Sequence, residues 1–268
     1  MDNSKILGAL AGDIIGSVYE FSPTKSVDFD LFTPWTNFTD DSVMTLAVAK
    51  WLMEDDAHTP HYLTCCMQEL GARYPGAGYG ARFSGWLSEE TPLPYNSWGN
   101  GAGMRVSPVG LYAKTIDEAL ALAAVTACVS HNHPEGVKGA QAIAASMFLC
   151  RQGKTKAEIR EYVEKTFFYD LNRTIDEIRP HYEFDISCQG SVPEAIIPFL
   201  EGSSFEDVIR LAVSLGGDSD TIACMAGAIA SCMYTIPEDI SEMCINHLPE
   251  DLKEINDVFL NFVSTKSY

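Results

Sequence analysis

The sequence has little positive charge: 18 Lys and Arg stand against 37 Asp and Glu, a formal net charge of −19. A surface of that sign repels a phosphate backbone, which excludes a broad nucleic-acid-binding role and disfavours a nucleic acid acceptor. It does not bear on a small charged ligand in a pocket, where local groups decide. No apolar stretch reaches the roughly 18 residues that a membrane span needs. The opening MDNSK leads into an apolar run broken by Gly12 and Asp13, which does not fit a signal peptide. The 8 cysteines contain no Cys-x-x-Cys pair, Cys65 and Cys66 are adjacent, and Cys128, Cys150, Cys224, Cys232 and Cys244 lie inside apolar helical runs. That excludes a disulfide framework and predicts buried thiols in a reducing cytoplasm. No alternating strand pattern and no internal repeat is present. With 46% apolar residues in 268, the chain can bury a full core. The expectation is an all-α fold in a single domain over residues 1–268.

What is present is organised around GGDSDTIACMAGAIAS, residues 216 to 231. Gly216 and Gly217 permit backbone conformations that a Cβ forbids. From Thr221 on, Ile222, Met225, Ile229 and Met233 recur at helical spacing, and small residues fill the other faces. A helix apolar all round is a buried one. Asp218, Asp220 and Thr221 therefore open a buried helix. An acidic N-cap needs one acid; two acids and a hydroxyl crowded together also suit Mg²⁺ or Ca²⁺.

Residues 4 to 20 predict a helix with Ile6, Leu7, Leu10 and Ile14 on one face. Gly8, Gly12 and Gly16 repeat every four residues and would let another helix come close. Glu20 and Asp13 fall on one side of it; Asp13, among apolar neighbours, reads as a hydrogen-bonded structural acid. Residues 21 to 38, with Pro23 and Pro34, read as a long loop of the lid kind. Then NFTDDSVMTLAVAKWL, residues 37 to 52, predicts a second largely apolar helix with Thr39, Asp40 and Asp41 at its head. This is the first cluster in mirrored order. If the two converge, up to four carboxylates meet, and like charges that close do not all stay ionised without cations. A pair of hard cations held this way is hydrolytic machinery.

Further helices are expected over 60 to 72, 80 to 88, 116 to 129, from Pro134, a short one after Lys156, 188 to 200, 204 to 215, and after Pro237 and Pro249. Residues 95 to 110, YNSWGNGAGMRVSPVG, read as a glycine-rich loop, and Phe167 to Asp185 as an irregular aromatic-rich stretch. In the loop, Ser97, Trp98, Gly99, Asn100 and Gly101 could offer backbone N–H groups to an anion. His131 and His133 lack the matching ligands of a zinc site and read as ligand contact or loop hydrogen bonds.

Together these segments resemble the ADP-ribosylglycohydrolase family. GALAGDIIGSVYEF, T-D-D, GNGAGMR, SHNHPEG, CQGSVPEA and GGDSDTIACMAGAIA occur in the expected order across nearly the whole chain. The resemblance implies an all-α orthogonal helical bundle with a two-magnesium centre, Mn²⁺ being able to substitute. It places the metal ligands at Thr39, Asp40, Asp41, Asp218, Asp220 and Thr221, all of the expected type. It sets Glu20 as a glutamate reaching the metals from the lid, Ser97, Trp98 and Asn100 in the loop that holds the ligand diphosphate, and His131 against ADP-ribose. The inter-motif loops are shorter than in some relatives, and such loops recognise the acceptor.

The implied activity is metal-dependent hydrolysis that frees ADP-ribose from an acceptor at the distal ribose anomeric carbon, with Asp218 and Glu20 as the acid/base candidates. The substrate would be an ADP-ribosylated protein or small molecule, linked through arginine, serine, a nucleobase or an O-acetyl group. Two alternatives stand beside it: a sensor that binds ADP-ribose without turnover, and a protein in which magnesium only staples two helices. A monomer is expected.

Overall fold

The computed structural model describes residues 6–265. Its helices are α1 (Leu7–Gly16), α2 (Asp40–Glu54), α3 (Pro60–Arg73), α4 (Ala81–Leu87), α5 (Gly101–Met104), α6 (Ser107–Tyr112), α7 (Ile116–Cys128) and α8 (Pro134–Arg151). They continue with α9 (Lys156–Phe167), α10 (Ile175–Ile178), α11 (Cys188–Glu201), α12 (Phe205–Val213), α13 (Ser219–Ala230), α14 (Glu238–His247) and α15 (Glu250–Thr265). Among the described residues there is no strand, only an isolated bridge between Gly99 and Ser187. The expected all-α fold is observed.

Hydroxyl caps account for many of the starts. Thr39, Thr59, Thr115, Thr155, Thr174, Ser187 and Ser204 each accept an N–H of the turn they open. His133 opens α8 in the same way, its Nδ1 accepting from the Glu135 N–H at 3.1 Å, one of the two roles expected of it. Pro60 and Pro134 sit in first turns, where a missing N–H costs nothing.

At the centre, α1 packs against α13, and every residue of both is buried. The approach is backbone to backbone. A Cβ placed on Gly12 would lie 2.0 Å from the Ala223 carbonyl oxygen, and one on Gly227 would lie 2.3 Å from that of Gly8. The four-residue glycine repeat is thus the groove into which α13 fits. Around this pair, α2, α5, α8, α11 and α12 close one continuous core.

Four expectations need correction. First, α1 ends at Gly16 rather than Glu20, while Ser4 and Lys5 lie outside the described residues. Beyond Gly16 the chain turns out: the Tyr19 ring meets Phe29 at 4.8 Å and its hydroxyl donates to the Asp30 carbonyl at 2.7 Å. Second, the glycine-rich stretch 95–110 contains α5 and most of it, past Gly101, is helical or turn, because Ala102, Met104, Val106 and Val109 are drawn into the core. Third, the irregular stretch holds one helical turn, α10, set by a Thr174–Glu177 capping box. Fourth, Cys65 and Cys128 are exposed, whereas Cys66, Cys188, Cys224 and Cys244 are buried free thiols as expected. Among the described residues, no helix is long and apolar enough to cross a membrane.

Gly12→Ala is expected to lower unfolding free energy by about 3 kcal/mol, since its methyl meets backbone that cannot move aside. Gly85→Ala, at a helical site with nothing within 4 Å of the added Cβ, should gain about 0.5–1 kcal/mol. Urea unfolding of both variants checks this; equal midpoints would mean that the α1–α13 approach is not limiting.

Candidate active site

Asp13 is the first fixed point. It is fully buried on α1, and its carboxylate accepts four hydrogen bonds from the head of α2: the Thr39 N–H (3.0 Å) and hydroxyl (2.6 Å), and the Ser42 N–H (3.0 Å) and hydroxyl. The structural role read from its apolar surroundings is the one observed. By gripping Thr39 and Ser42, it places Asp40 and Asp41 between them.

The second fixed point is the turn into α13. Gly216 and Gly217 have φ of 71° and 75°, both in the region that favours glycine, and a Cβ on Gly217 would lie 2.9 Å from the Glu183 carbonyl oxygen. The turn delivers Asp218 to the N-cap position, yet its side chain caps nothing there. Instead its Oδ2 accepts from Asn100 Nδ2 at 2.6 Å. Capping at α2 is done by Thr39, which accepts from the Asp41 N–H at 3.2 Å. Capping therefore does not account for either acidic pair.

The two heads converge. Thr221 Oγ1 donates to Asp41 Oδ2 at 3.2 Å across the interface. Carboxylate oxygens of Glu20, Asp218 and Asp220 lie within 4.8 Å of one another. One cavity of about 580 Å³ is lined by Glu20, Thr39, Asp40, Asp41, Asp218, Asp220 and Thr221 at one part of its wall, and by Ser97, Trp98, Gly99, Asn100, Gly101 and His131 at another. Every site residue expected from the sequence is in this one cavity.

Within the described residues, no Lys, Arg or His forms an ion pair with Asp13, Glu20, Asp40, Asp41, Asp218 or Asp220. The consequence is electrostatic. Burial, then the charges of Asp218 and Asp13, push the Glu20 carboxyl up to about 7. Burial, then Asp13 and Asp218, push Asp40 up to about 8. Asp41 and Asp220 are raised by the same causes, burial leading. Asp41 Oδ1 is buried without a hydrogen-bond partner. Carboxylate and hydroxyl oxygens, crowded, uncompensated and with one oxygen orphaned, fit a hard divalent cation.

The glycine loop is only partly free to bind an anion through its backbone. The Gly99 N–H donates to Ser97 Oγ at 3.1 Å and the Asn100 N–H to the Ile186 carbonyl at 2.8 Å. The N–H groups of Trp98 and Gly101 have no hydrogen-bond partner among the described residues, which leaves them as the donors. Sequence reasoning also missed lining residues. Phe21 and Phe184 stack at 6.5 Å beside Glu20, and Arg82 covers the Tyr95 ring at 4.4 Å. Phe184 lies in the aromatic-rich stretch, a signal without a direction until folding brings it to Phe21. The 17–39 segment that carries Glu20 is tied down: Arg210 donates to the carbonyls of Val27 (3.0 Å) and Phe29 (2.8 Å), and Lys25 to those of Tyr182 (2.7 Å) and Leu215.

Comparison with known proteins agrees with this geometry. The model of the ADP-ribosylglycohydrolase family matches residues 5–266. The ADP-ribosylhydrolase ARH3 of Homo sapiens is 26% identical, over 92% of this chain and 90% of its own length. The ADP-ribosylarginine hydrolase Tri1 of Pseudomonas putida is 23% identical, over 88% and 71%. A solved structure described as an ADP-ribosylglycohydrolase-related protein complex has the same fold, with a TM-score of 0.73 and 22% identity over 97% of each chain.

A pH dependence follows from the raised carboxyls. In the unfolded chain Glu20 and Asp40 return to ordinary values of 4.5 and 3.8, so the folded state holds their protons more tightly. The associated stability is fully present below those ordinary values and is lost as pH rises through about 7 and about 8. Chelator-treated protein should therefore show a Tm that falls between about pH 5 and pH 8 and levels off above, and a saturating divalent cation should raise and flatten that profile. A Tm that is flat or rising in chelator would show that these carboxyls are not uncompensated.

Proposed function

The chain belongs to the ADP-ribosylglycohydrolase family, and from that premise we propose that it hydrolyses the bond joining ADP-ribose to a modified acceptor, at the anomeric carbon of the distal ribose, with two bound Mg²⁺ ions. The observation that carries this reading is the convergence of two acidic helix heads, without a compensating cation, on a cavity whose other wall is the glycine loop with His131. The relatives named as ADP-ribosylhydrolases support the leaving group; the donor set supports the metal.

Thr39, Asp40, Asp41, Asp218, Asp220 and Thr221 would hold the ions. Bound there, they would supply positive charge for the distal ribose hydroxyls and lower the pKa of a water. The protein's own groups do the rest. The Trp98 and Gly101 N–H groups and His131 would hold the diphosphate part of the ligand, and the half-exposed Trp98 ring would flank it. Asn100 orients Asp218, which lines the cavity, through its 2.6 Å amide hydrogen bond. Cleavage at the anomeric carbon develops oxocarbenium character and needs a proton to leave the attacking water and another to reach the departing group. Glu20 and Asp218 are the groups placed to take and give those protons. Glu20, half-buried and raised towards neutrality, is suited to both directions of transfer.

Release of ADP-ribose from peptides modified on arginine or on serine and from O-acetyl-ADP-ribose should proceed with Mg²⁺ and stop with chelator. Tight ADP-ribose binding with no release from any acceptor would replace the hydrolase reading with that of a sensor. Asp218→Ala should lower the rate about a hundred- to ten-thousand-fold. The same variant should not lower the Tm in chelator, because it removes one of several repelling carboxyls. Full activity in Asp218→Ala would take that residue out of the chemistry.

A further inference from the structure

His131 sits behind the glycine loop, 6% exposed, with its ring among Phe83 and Tyr95. A methyl added at Gly99 or Gly101 would lie 3.3 or 3.4 Å from its Nε2, so this nitrogen is the one that faces the loop. Among the described residues Nε2 has no hydrogen-bond partner; the His131 side-chain bond is at Nδ1. The other nitrogen, Nδ1, lies 2.8 Å from the hydroxyl of Ser130, which is fully buried. That hydroxyl in turn lies 2.8 Å from Nη2 of Arg105, which is 1% exposed and also donates to the Thr126 carbonyl at 2.7 Å.

Donor counting orders this chain of atoms. An arginine has no acceptor, so at Ser130 Oγ the Arg105 N–H must be the donor. The hydroxyl oxygen is then accepting, and its single hydrogen needs an acceptor of its own. Nδ1 is the group in reach. If Nδ1 carried the proton instead, Ser130 would accept twice and leave a buried hydroxyl hydrogen unsatisfied. A doubly protonated ring would add a second buried positive charge beside Arg105. Burial first and the Arg105 charge second hold the His131 pKa well below its ordinary value, which agrees.

We infer that Arg105 and Ser130 are positioning residues that lock His131 as the neutral tautomer with its proton on Nε2, so that it presents a fixed hydrogen-bond donor to an acceptor oxygen of the ligand at the Gly99–Gly101 loop. The ligand part of this inference rests on the cavity being an ADP-ribose site; the tautomer does not. Arg105 closes the GNGAGMR stretch and also lines the cavity, its guanidinium carbon 5.5 Å from the centre of the Phe83 ring. A neutral donor also suits a ligand that reaches from the anionic diphosphate to a cluster of carboxylates: it binds oxygen without offering those carboxylates a cation to pair with.

The test is a long-range ¹H–¹⁵N correlation spectrum of the full chain labelled at histidine, near neutral pH, with the His131 signals assigned by their loss in His131→Gln. The expected pattern is an unprotonated Nδ1 and a protonated Nε2. In Ser130→Ala the pattern should shift towards the other tautomer, and the Kd for ADP-ribose, measured calorimetrically with Mg²⁺, should rise about tenfold. A protonated Nδ1 in the unaltered protein overturns the inference, and this reading stands even if Ser130→Ala fails to fold. So does a folded Ser130→Ala with unchanged tautomer and unchanged Kd. An unaltered protein with the expected tautomer that binds no ADP-ribose would instead overturn the functional reading and leave the lock in place.

Discussion

The contact between the backbones of α1 and α13 is the constraint on which the site depends. Where Gly12 faces Ala223 there is no room for a side chain, and the same face continues to Gly16 against Asp220. Two helices held this closely bring their polar ends into register within a fraction of a turn. Asp13, on α1, is thereby set beside the turn that carries Asp218 and Asp220 on α13. It also reaches across to hold the head of α2 through four hydrogen bonds. A looser helix pair, with ordinary side chains between, would separate the carboxylates that must act together.

Bringing those carboxylates together is costly for the fold. Each loses hydration and each feels its neighbours, and no basic side chain comes to meet them among the described residues. Such an arrangement is retained where function needs it, and a stability ledger would not select it. The cost falls on helix ends knit by hydroxyl–carboxylate hydrogen bonds, while the apolar core supplies the stabilisation.

The cavity is chemically polarised as a result. One part of its wall is acidic oxygen; another is backbone N–H, aromatic ring and an imidazole joined through the Ser130 hydroxyl to a buried guanidinium. A ligand with an anionic middle and a hydroxyl-bearing end fits that division, and a ligand charged uniformly does not. The exposed, stacked Phe21–Phe184 pair lines the same cavity.

Much of this was written in the chain. Helical periodicity gave the all-α class, the small residues of α1 and α13 announced close packing, and the mirrored T-D-D and D-S-D-T clusters announced a shared site, because each pattern is local and its chemistry needs no partner to be recognised. Family motifs extended that to Ser97, Trp98, Asn100 and His131. What the chain could not show was which surfaces meet. Glycines every four residues say that something approaches, and only folding shows that it is α13. A glycine-rich stretch reads as an open loop until the core draws α5 inward and the Ile186 carbonyl takes up the Asn100 N–H. Phe184 gains a meaning only opposite Phe21, and Arg105 only behind Ser130. Those relations join residues far apart in the chain, 25 positions between Arg105 and Ser130, 180 between Asp41 and Thr221 and 211 between Gly12 and Ala223. No local pattern encodes such distances, so the residue types belong to the sequence and the directions in which their donors and acceptors point belong to the tertiary structure.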